Sequence, residues 1–123
     1  MNRNSNLQKR IFVDESESEI QSKIIEVLKL KKYLVVRINS GVRAIGKRLV
    51  RFYQIMNNGA TAGFPDLIAI KNNKILMVEV KSKTGKLREA QKDFISLAAK
   101  FGNSILVTDS WEEVLNYVEQ KSD

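Results

Sequence analysis

The sequence contains no cysteine and no histidine among its 123 residues. These absences exclude disulfides, thiol nucleophiles, imidazole bases and the zinc sites that are built from these side chains. Any bound metal ion must therefore be held by oxygens of carboxylates, backbone carbonyls and water. Such ligands favour Mg²⁺, Mn²⁺ or Ca²⁺ over softer ions.

Long apolar segments are missing as well. No run approaches the roughly eighteen apolar residues that a membrane span requires, and residues 1–9 lack the apolar stretch of a signal peptide. We therefore expect a cytoplasmic protein. Its length and its 43% of hydrophobic residues predict one compact domain over residues 15–123. Residues 1–14 are polar without periodicity and are expected to form a flexible N-terminal arm.

Acidic residues are scarce in the middle of the chain. Between Lys29 and Lys92 there are fifteen Lys or Arg residues but three acids, which are Asp66, Glu79 and Glu89, and the net charge of the whole chain is +7. Such a basic segment is typical of a surface that meets a polyanion such as nucleic acid. A solvated, highly soluble face would explain the charge equally well.

The hydrophobic pattern predicts alternating helices and strands in the order α, β, β, β, β, α, β, α. A helix should begin near Ser16 or Ser18, because both residues can cap it and acids crowd its first turn. The strand Tyr33–Ile38 follows and ends at the turn-prone residues Asn39, Ser40 and Gly41. The remaining predicted elements are strands Leu49–Met56, Leu67–Ile70 and Ile75–Val80, helix Leu87–Phe101, strand Ser104–Thr108 and helix Trp111–Glu119, capped by Ser110.

The two central strands are predicted to form a hairpin with a two-residue Asn-Asn turn. With this turn Ile70 lies opposite Ile75, and Asp66 lies opposite Glu79. Cross-strand neighbours have Cβ atoms roughly 4.5 to 5.5 Å apart, and like charges at that distance destabilise a sheet. Unless a bulge shifts the register, the pair of carboxylates requires a cation between them.

Lys81 falls on the same face of the second hairpin strand as Glu79, by strand alternation. Residues 75–78, which precede Glu79, are apolar on both faces of this strand. This pattern predicts a central strand that is covered on both sides. A charge buried there is costly unless it is paired or coordinated. The alternative to a metal site is a simple salt bridge from Lys81 to Asp66 or Glu79 that closes the end of the sheet.

These residues carry a resemblance to a known family. Pro65-Asp66 followed by Glu79-Val80-Lys81 resembles the signature of the PD-(D/E)XK nucleases. More narrowly, the sequence resembles the VRR-NUC branch, in its stand-alone phage and bacterial form. The matching segments, in order, are Ser16-Glu17, Ile20-Gln21, Arg37–Gly41, Gly63–Leu67, Glu79–Lys81, Gly85 and Gln91. The resemblance implies an α/β fold with a restriction-endonuclease-like core, a mixed four-stranded sheet flanked by helices.

The resemblance also implies an activity, the metal-dependent hydrolysis of DNA phosphodiester bonds by an endonuclease. Asp66, Glu79 and the Val80 carbonyl would hold Mg²⁺, for which Mn²⁺ could substitute, and Lys81 would orient or deprotonate the attacking water. Cutting would be selective for junctions, such as the Holliday junction, or for flaps or nicks. A homodimer in a bacterial or phage-infected cell would be expected. The alternatives are a catalytically silent nucleic-acid-binding module and an assembly protein with an acidic partner.

Two supporting residues are expected from helix geometry as well as from the resemblance. Glu17 shares the helical stripe of Ile20 and Ile24, so it could reach the metal directly or through water. It could equally be a favourable acid in the first helical turn. Gln91 lies on an apolar helix face and needs a polar partner, either in the active site or as an amide paired within the core.

Basic residues on both sides of this centre are candidates for phosphate contacts, which position a duplex without reading its sequence. Each could instead be an ordinary surface charge. Asn39 and Ser40 are either turn residues or part of the site. The basic candidates are Arg43, Lys47, Arg48 and Arg51 before the hairpin and Lys83, Lys86, Arg88 and Lys92 after it.

Overall fold

The computed structural model describes residues 15–38 and 63–121, together with the backbone of residues 41–45 and 48–52. The elements are helix α1 (Glu17–Leu30), strands β1 (Leu34–Arg37), β2 (Gly41–Ile45), β3 (Arg48–Phe52), β4 (Leu67–Lys71) and β5 (Lys74–Val80), helix α2 (Glu89–Lys100), strand β6 (Ile105–Thr108) and helix α3 (Trp111–Lys121). In this part of the chain no helix has the length and apolar character needed to cross a membrane.

Four strands form one mixed sheet in the order β1-β4-β5-β6. Strand β4 is antiparallel to both β1 and β5, whereas β5 and β6 run parallel. Strands β2 and β3 pair with each other in a separate antiparallel ribbon. The predicted α/β fold with a mixed four-stranded sheet and flanking helices is therefore confirmed.

Helix α1 begins where the sequence provides a cap. The Ser16 side chain accepts a hydrogen bond from the Glu19 backbone N–H at 3.2 Å, so one of the free donors of the first turn is satisfied. The apolar residues Ile20, Ile24 and Leu28 follow at helical spacing and are all buried. The predicted start of this helix and its buried face are confirmed.

The β4–β5 hairpin has the predicted register. Asn72 and Asn73 both adopt positive φ angles, 49° and 66°, as a tight two-residue hairpin turn requires. Consequently Ile70 pairs with Ile75, and the ladder ends at the pair of Leu67 and Val78. Asp66 and Glu79 come next on each strand, so both carboxylates lie at the same end of the sheet.

One face of the sheet forms the core together with α1 and α3. The strand residues are Leu67, Ala69, Leu76, Val78 and Val80, and the helices contribute Ile20, Ile24, Leu28, Val114 and Val118. Each fully buried aliphatic side chain of this kind stabilises the fold by roughly 1.5 to 3 kcal/mol. This packing anchors the end of β5 in the core and so fixes the position of the charged residues there.

Strand β5 is a central strand, as predicted, since it lies between β4 and β6. The prediction that both of its faces are covered was wrong for the start of the strand, where the face opposite the core is exposed. Ile75 is 62% exposed at the start of the strand, whereas Glu79 is 2% exposed near its end. Apolar alternation shows which side chains share a face, but it does not show whether another element covers that face. Here Gln91 of α2 contacts this face beside Glu79.

The basic segment after β1 contains a strand that was not predicted. Gly41, assigned to a turn, begins β2, which pairs with β3 from Gly41 opposite Phe52 to Ile45 opposite Arg48. Strand β3 corresponds to the predicted strand Leu49–Met56 but begins one residue earlier, at Arg48. Residues 53–56 of that prediction lie outside the described part of the chain. The predicted arm, residues 1–14, also lies outside it. Other described boundaries differ from prediction by one or two residues.

Candidate active site

Asp66 is held by one hydrogen bond from β5 and one from the residue that follows β1. Its carboxylate Oδ2 accepts from the Val80 backbone N–H at 2.8 Å, and its own carbonyl accepts from the Ile38 N–H at 2.8 Å. The buried Pro65 precedes it and limits the conformations of the approaching chain. The Asp66 carboxylate is therefore fixed at the point where β4 begins and β5 ends.

Glu79 is buried beside this carboxylate and is bonded to Gln91. The Gln91 side-chain Nε2 donates to Glu79 Oε1 at 2.8 Å, and Gln91 itself is 4% exposed. The amide oxygen of Gln91 accepts from the Arg88 backbone N–H at 2.8 Å, which caps the start of α2. Gln91 thus joins the first turn of α2 to the end of β5, and its polar partner is Glu79.

Lys81 lies between two carboxylates just beyond the end of β5. Its Nζ is 3.7 Å from Glu79 Oε1 and 3.8 Å from Glu17 Oε1, and its side chain is 14% exposed. Its backbone N–H donates to the Thr108 carbonyl at 2.9 Å, so the chain at this point is anchored to β6. The ion pair between Lys81 and Glu79, which is the alternative to a metal site, is therefore present.

The cluster holds more negative than positive charge. Burial is the largest cause that raises the pKa of Glu79, from 4.5 to about 8, and the neighbouring Asp66 carboxylate adds to it. Lys81 acts in the opposite direction but does not offset these effects. Glu17 and Glu79 contact the ammonium group of Lys81, and Asp66 adds a third carboxylate beside Glu79. A simple salt bridge would need one acid, so the surplus of carboxylates favours a further cation.

The donors for such a cation are the oxygens of Asp66 and Glu79. No three acidic side chains among residues 15–38 and 63–121 are grouped closely enough to hold an ion by themselves. Glu17 instead contacts Lys81. Two carboxylates with water and the Val80 carbonyl would form a hard oxygen site, so the donor set fits Mg²⁺ or Mn²⁺.

The turn Ser82–Gly85 was not expected to contribute to the site. Gly85 donates its N–H to the Ser82 carbonyl at 3.0 Å. A Cβ at Gly85 would lie 3.2 Å from Glu17 Oε1 and 3.1 Å from Ser82 Oγ. This turn therefore packs closely against the Glu17 carboxylate that contacts Lys81. Gly85 matches a position of the family pattern, and the sequence offers no further sign of this contact.

The predicted DNA-binding residues divide into two groups. The four on the segment after Lys81 have exposed side chains, and Lys92 is additionally 3.5 Å from Glu89. This segment joins Lys81 to Gln91, so its charges flank the site. The four are Lys83, Lys86, Arg88 and Lys92. In the other group, Arg43 lies in β2 and Arg48 and Arg51 lie in β3, but the structure describes only their backbone. Lys47 lies outside the described residues, and so do Asn39 and Ser40.

A pH dependence of stability is expected from Glu79. Because its pKa in the folded, metal-free protein lies above its ordinary value of 4.5, the folded state binds this proton more tightly than the unfolded state does. The resulting stabilisation is fully present below pH 4.5 and is lost as the pH rises through about 8. The loss should be on the order of a few kcal/mol.

Urea unfolding in EDTA between pH 5 and 8.5 measures this effect. The slope of unfolding free energy against pH should be shallower in Glu79→Gln than in the wild type. The exposed Glu89 provides the control, because Glu89→Gln should keep the wild-type slope. Parallel curves for the wild type and Glu79→Gln would show that Glu79 titrates normally.

Comparison with known proteins identifies the family. No curated protein and no solved structure matches the chain. The family model described as the VRR-NUC domain matches residues 15–112, a span that begins before α1 and reaches into α3. It includes the residues that meet at the end of the sheet, from Glu17 to Gln91. Most of the chain is therefore matched, and the protein belongs to the VRR-NUC domain family.

Proposed function

We propose that this protein is a divalent-metal-dependent endonuclease that hydrolyses DNA phosphodiester bonds, with residues 15–123 as one nuclease domain. Membership of the VRR-NUC family implies a nuclease-type function. The observation that supports the metal-dependent mechanism is the surplus of carboxylates around Lys81 at the end of β5. Asp66 and Glu79 are the acids of this cluster whose negative charges lie beside each other, and their mutual repulsion favours a cation between them.

Asp66 and Glu79, with the Val80 carbonyl, would hold Mg²⁺ or Mn²⁺. When bound, the ion polarises the phosphodiester and lowers the pKa of its water. The protein supplies the fixed positions of the donors. The Val80 N–H holds the Asp66 carboxylate, and the Gln91 amide holds Glu79 Oε1.

Lys81 is the residue that we assign to the reacting groups. Its ammonium can donate hydrogen bonds to the attacking water and to a non-bridging phosphate oxygen, where negative charge grows as the water oxygen bonds to phosphorus. As the bond from phosphorus to the leaving oxygen breaks, the attacking water gives up its proton to solvent and the leaving oxygen takes a proton from solvent. Glu17 is proposed to keep the Lys81 side chain in place through their ion pair, and so acts as a positioning residue.

We further propose that cutting depends on DNA structure, with junctions, flaps or nicks as substrates. The exposed basic residues of the segment 83–92 are suited to phosphate contacts, and such contacts carry no sequence information. Cutting a Holliday junction requires one incision in each of two strands. A homodimer would supply the two active sites that these incisions need.

Cleavage of plasmid DNA and of a labelled four-way junction, each in Mg²⁺ and in EDTA, tests this function. We expect cleavage in Mg²⁺, none in EDTA, and a higher rate on the junction than on a linear duplex of the same sequence. DNA binding without cleavage in either condition would instead identify a silent binding module. The absence of both binding and cleavage would favour an assembly protein with an acidic partner.

The basic residues of β3 provide a prediction that is independent of catalysis. Each phosphate contact contributes about 0.9 to the slope of log affinity against log salt, so Arg48→Ala/Arg51→Ala should reduce that slope by roughly two. The measurement is a salt titration of DNA binding in Ca²⁺ on several sequences, which should differ little.

A matched control removes the same charge elsewhere. Lys29 and Lys100 lie in the last turns of α1 and α2. The site residues Glu17 and Gln91 lie in the first turns, at the opposite ends of the same helices. Lys29→Ala/Lys100→Ala should therefore leave the slope near the wild-type value. An equal reduction in both double variants would reflect net charge alone, and an unchanged slope in Arg48→Ala/Arg51→Ala would assign the contacts to the segment 83–92.

A further inference from the structure

We infer that Gly63 is a positioning residue for the active site. Gly63 lies three residues before Asp66, in the chain that leads into β4, and touches the first turn of α2, which carries Gln91. Its contact sets the position of α2 and so keeps Gln91 within hydrogen-bonding distance of Glu79. The inference rests on the proposed nuclease function for its effect on catalysis, but the contact itself can be tested without any activity.

The geometry at Gly63 leaves no room for a side chain. A Cβ there would lie 2.0 Å from the Ala90 carbonyl oxygen, 2.5 Å from the Ala90 carbonyl carbon and 3.1 Å from the Gln91 nitrogen. All three atoms belong to the backbone of α2, so no side chain can rotate away to relieve the contact. The φ angle of Gly63 is +91°, which is also unfavourable for other residues.

A displacement of this helix would act directly on the site. The Gln91 amide bonds Glu79 Oε1 at 2.8 Å, and hydrogen bonds weaken steeply once the donor and acceptor move apart by more than a few tenths of an ångström. The same junction has a second contact, since the rings of Phe64 and Phe94 lie with centroids 5.0 Å apart. The segment that carries Asp66 and the helix that carries Gln91 therefore pack directly against each other.

The chain offers a matched control for the backbone strain. Gly102 has a φ angle of +82°, close to that of Gly63, but a Cβ built there meets no atom within 4 Å. Gly102→Ala therefore introduces similar strain without the collision. Any difference between Gly63→Ala and Gly102→Ala at equal folding reports the contact with α2.

Steady-state cleavage kinetics form the first measurement. Loss of a residue that holds a metal ligand typically costs 10- to 100-fold in activity, so Gly63→Ala and Gln91→Ala should each lower kcat by roughly that factor, with KM little changed. Because both act through one hydrogen bond, Gly63→Ala/Gln91→Ala should be no slower than Gln91→Ala. Gly102→Ala should retain the wild-type kcat. Wild-type kcat in Gly63→Ala, or losses that multiply in the double variant, would overturn the inference.

The second measurement does not depend on catalysis. The side-chain NH₂ signals of Gln91 can be identified in the ¹H–¹⁵N spectrum by their loss in Gln91→Ala. Gly63→Ala should move these signals toward those of a solvent-exposed glutamine, and Gly102→Ala should leave them in place. Unmoved signals in a folded Gly63→Ala protein would overturn the inference. If the wild type cleaves no DNA, the proposed function fails, and the spectra still decide the role of Gly63.

A second variant covers the case in which Gly63→Ala does not fold. Phe94→Leu removes the ring contact with Phe64 while it keeps an apolar side chain and introduces no backbone collision. It should displace the Gln91 signals in the same direction, and its loss of kcat should not add to that of Gln91→Ala. Unmoved signals in Phe94→Leu would then overturn the inference.

Discussion

Asp66→Asn and Glu79→Gln should each reduce DNA cleavage by at least about a thousandfold, because each removes one of two charged donors from the proposed metal site, where a bound ion would contribute several kcal/mol to catalysis. Both amides are close in shape to the acids that they replace. The Val80 N–H can still donate to an amide oxygen at position 66, and so can the Gln91 amide at position 79. The fold should therefore be retained.

The metal-free variants should be at least as stable as the wild type at pH 8. Each substitution removes the repulsion between Asp66 and Glu79, which together with burial raises the pKa of Glu79 to about 8. The measurements are single-turnover cleavage in Mg²⁺, thermal unfolding in EDTA and calorimetric titration with Ca²⁺. The exposed acids of α2 provide the controls, since Asp93→Asn and Glu89→Gln should cleave normally. Wild-type cleavage by either site variant would rule out the proposed centre.

The central part of the site could be predicted because local chemistry determines it. Two asparagines between Lys71 and Lys74 fit a two-residue hairpin turn, and this turn fixes which residues pair across β4 and β5. The pairing then places Asp66 and Glu79 at one end of the sheet. Gln91 could be recognised as unusual because helical periodicity places it on an apolar face, where an amide needs a partner.

Other features depend on contacts between distant parts of the chain. Strand β2 is stabilised by its pairing with β3, and it begins at Gly41, a residue type that is rare in strands and common in turns. The exposed Ile75 shows that an apolar residue in a central strand need not be covered. The contact of Gly63 with α2 joins positions 27 or more residues apart, and glycine carries no side chain whose chemistry could indicate a partner.

Lys81→Ala should reduce cleavage by a factor of a hundred or more, while DNA binding weakens only modestly. Removing one preorganised donor to a developing oxyanion costs roughly 100- to 1000-fold in kcat. In the proposed DNA complex Lys81 would be one phosphate contact among many, and its Nζ already lies near two carboxylates. The loss should therefore appear in kcat and persist at saturating DNA.

Lys81 also differs from Asp66 and Glu79 in its effect on metal binding. Its removal leaves the surrounding carboxylates with less positive charge nearby, so the affinity for Ca²⁺ should be kept or increased, whereas Asp66→Asn and Glu79→Gln should weaken it. Lys83→Ala is the matched control, because it removes the same charge two residues away from an exposed side chain. If Lys81→Ala regains wild-type kcat at saturating DNA, or behaves like Lys83→Ala, Lys81 only binds phosphate. A persistent loss of kcat with intact Ca²⁺ binding would place its ammonium group at the reacting phosphate.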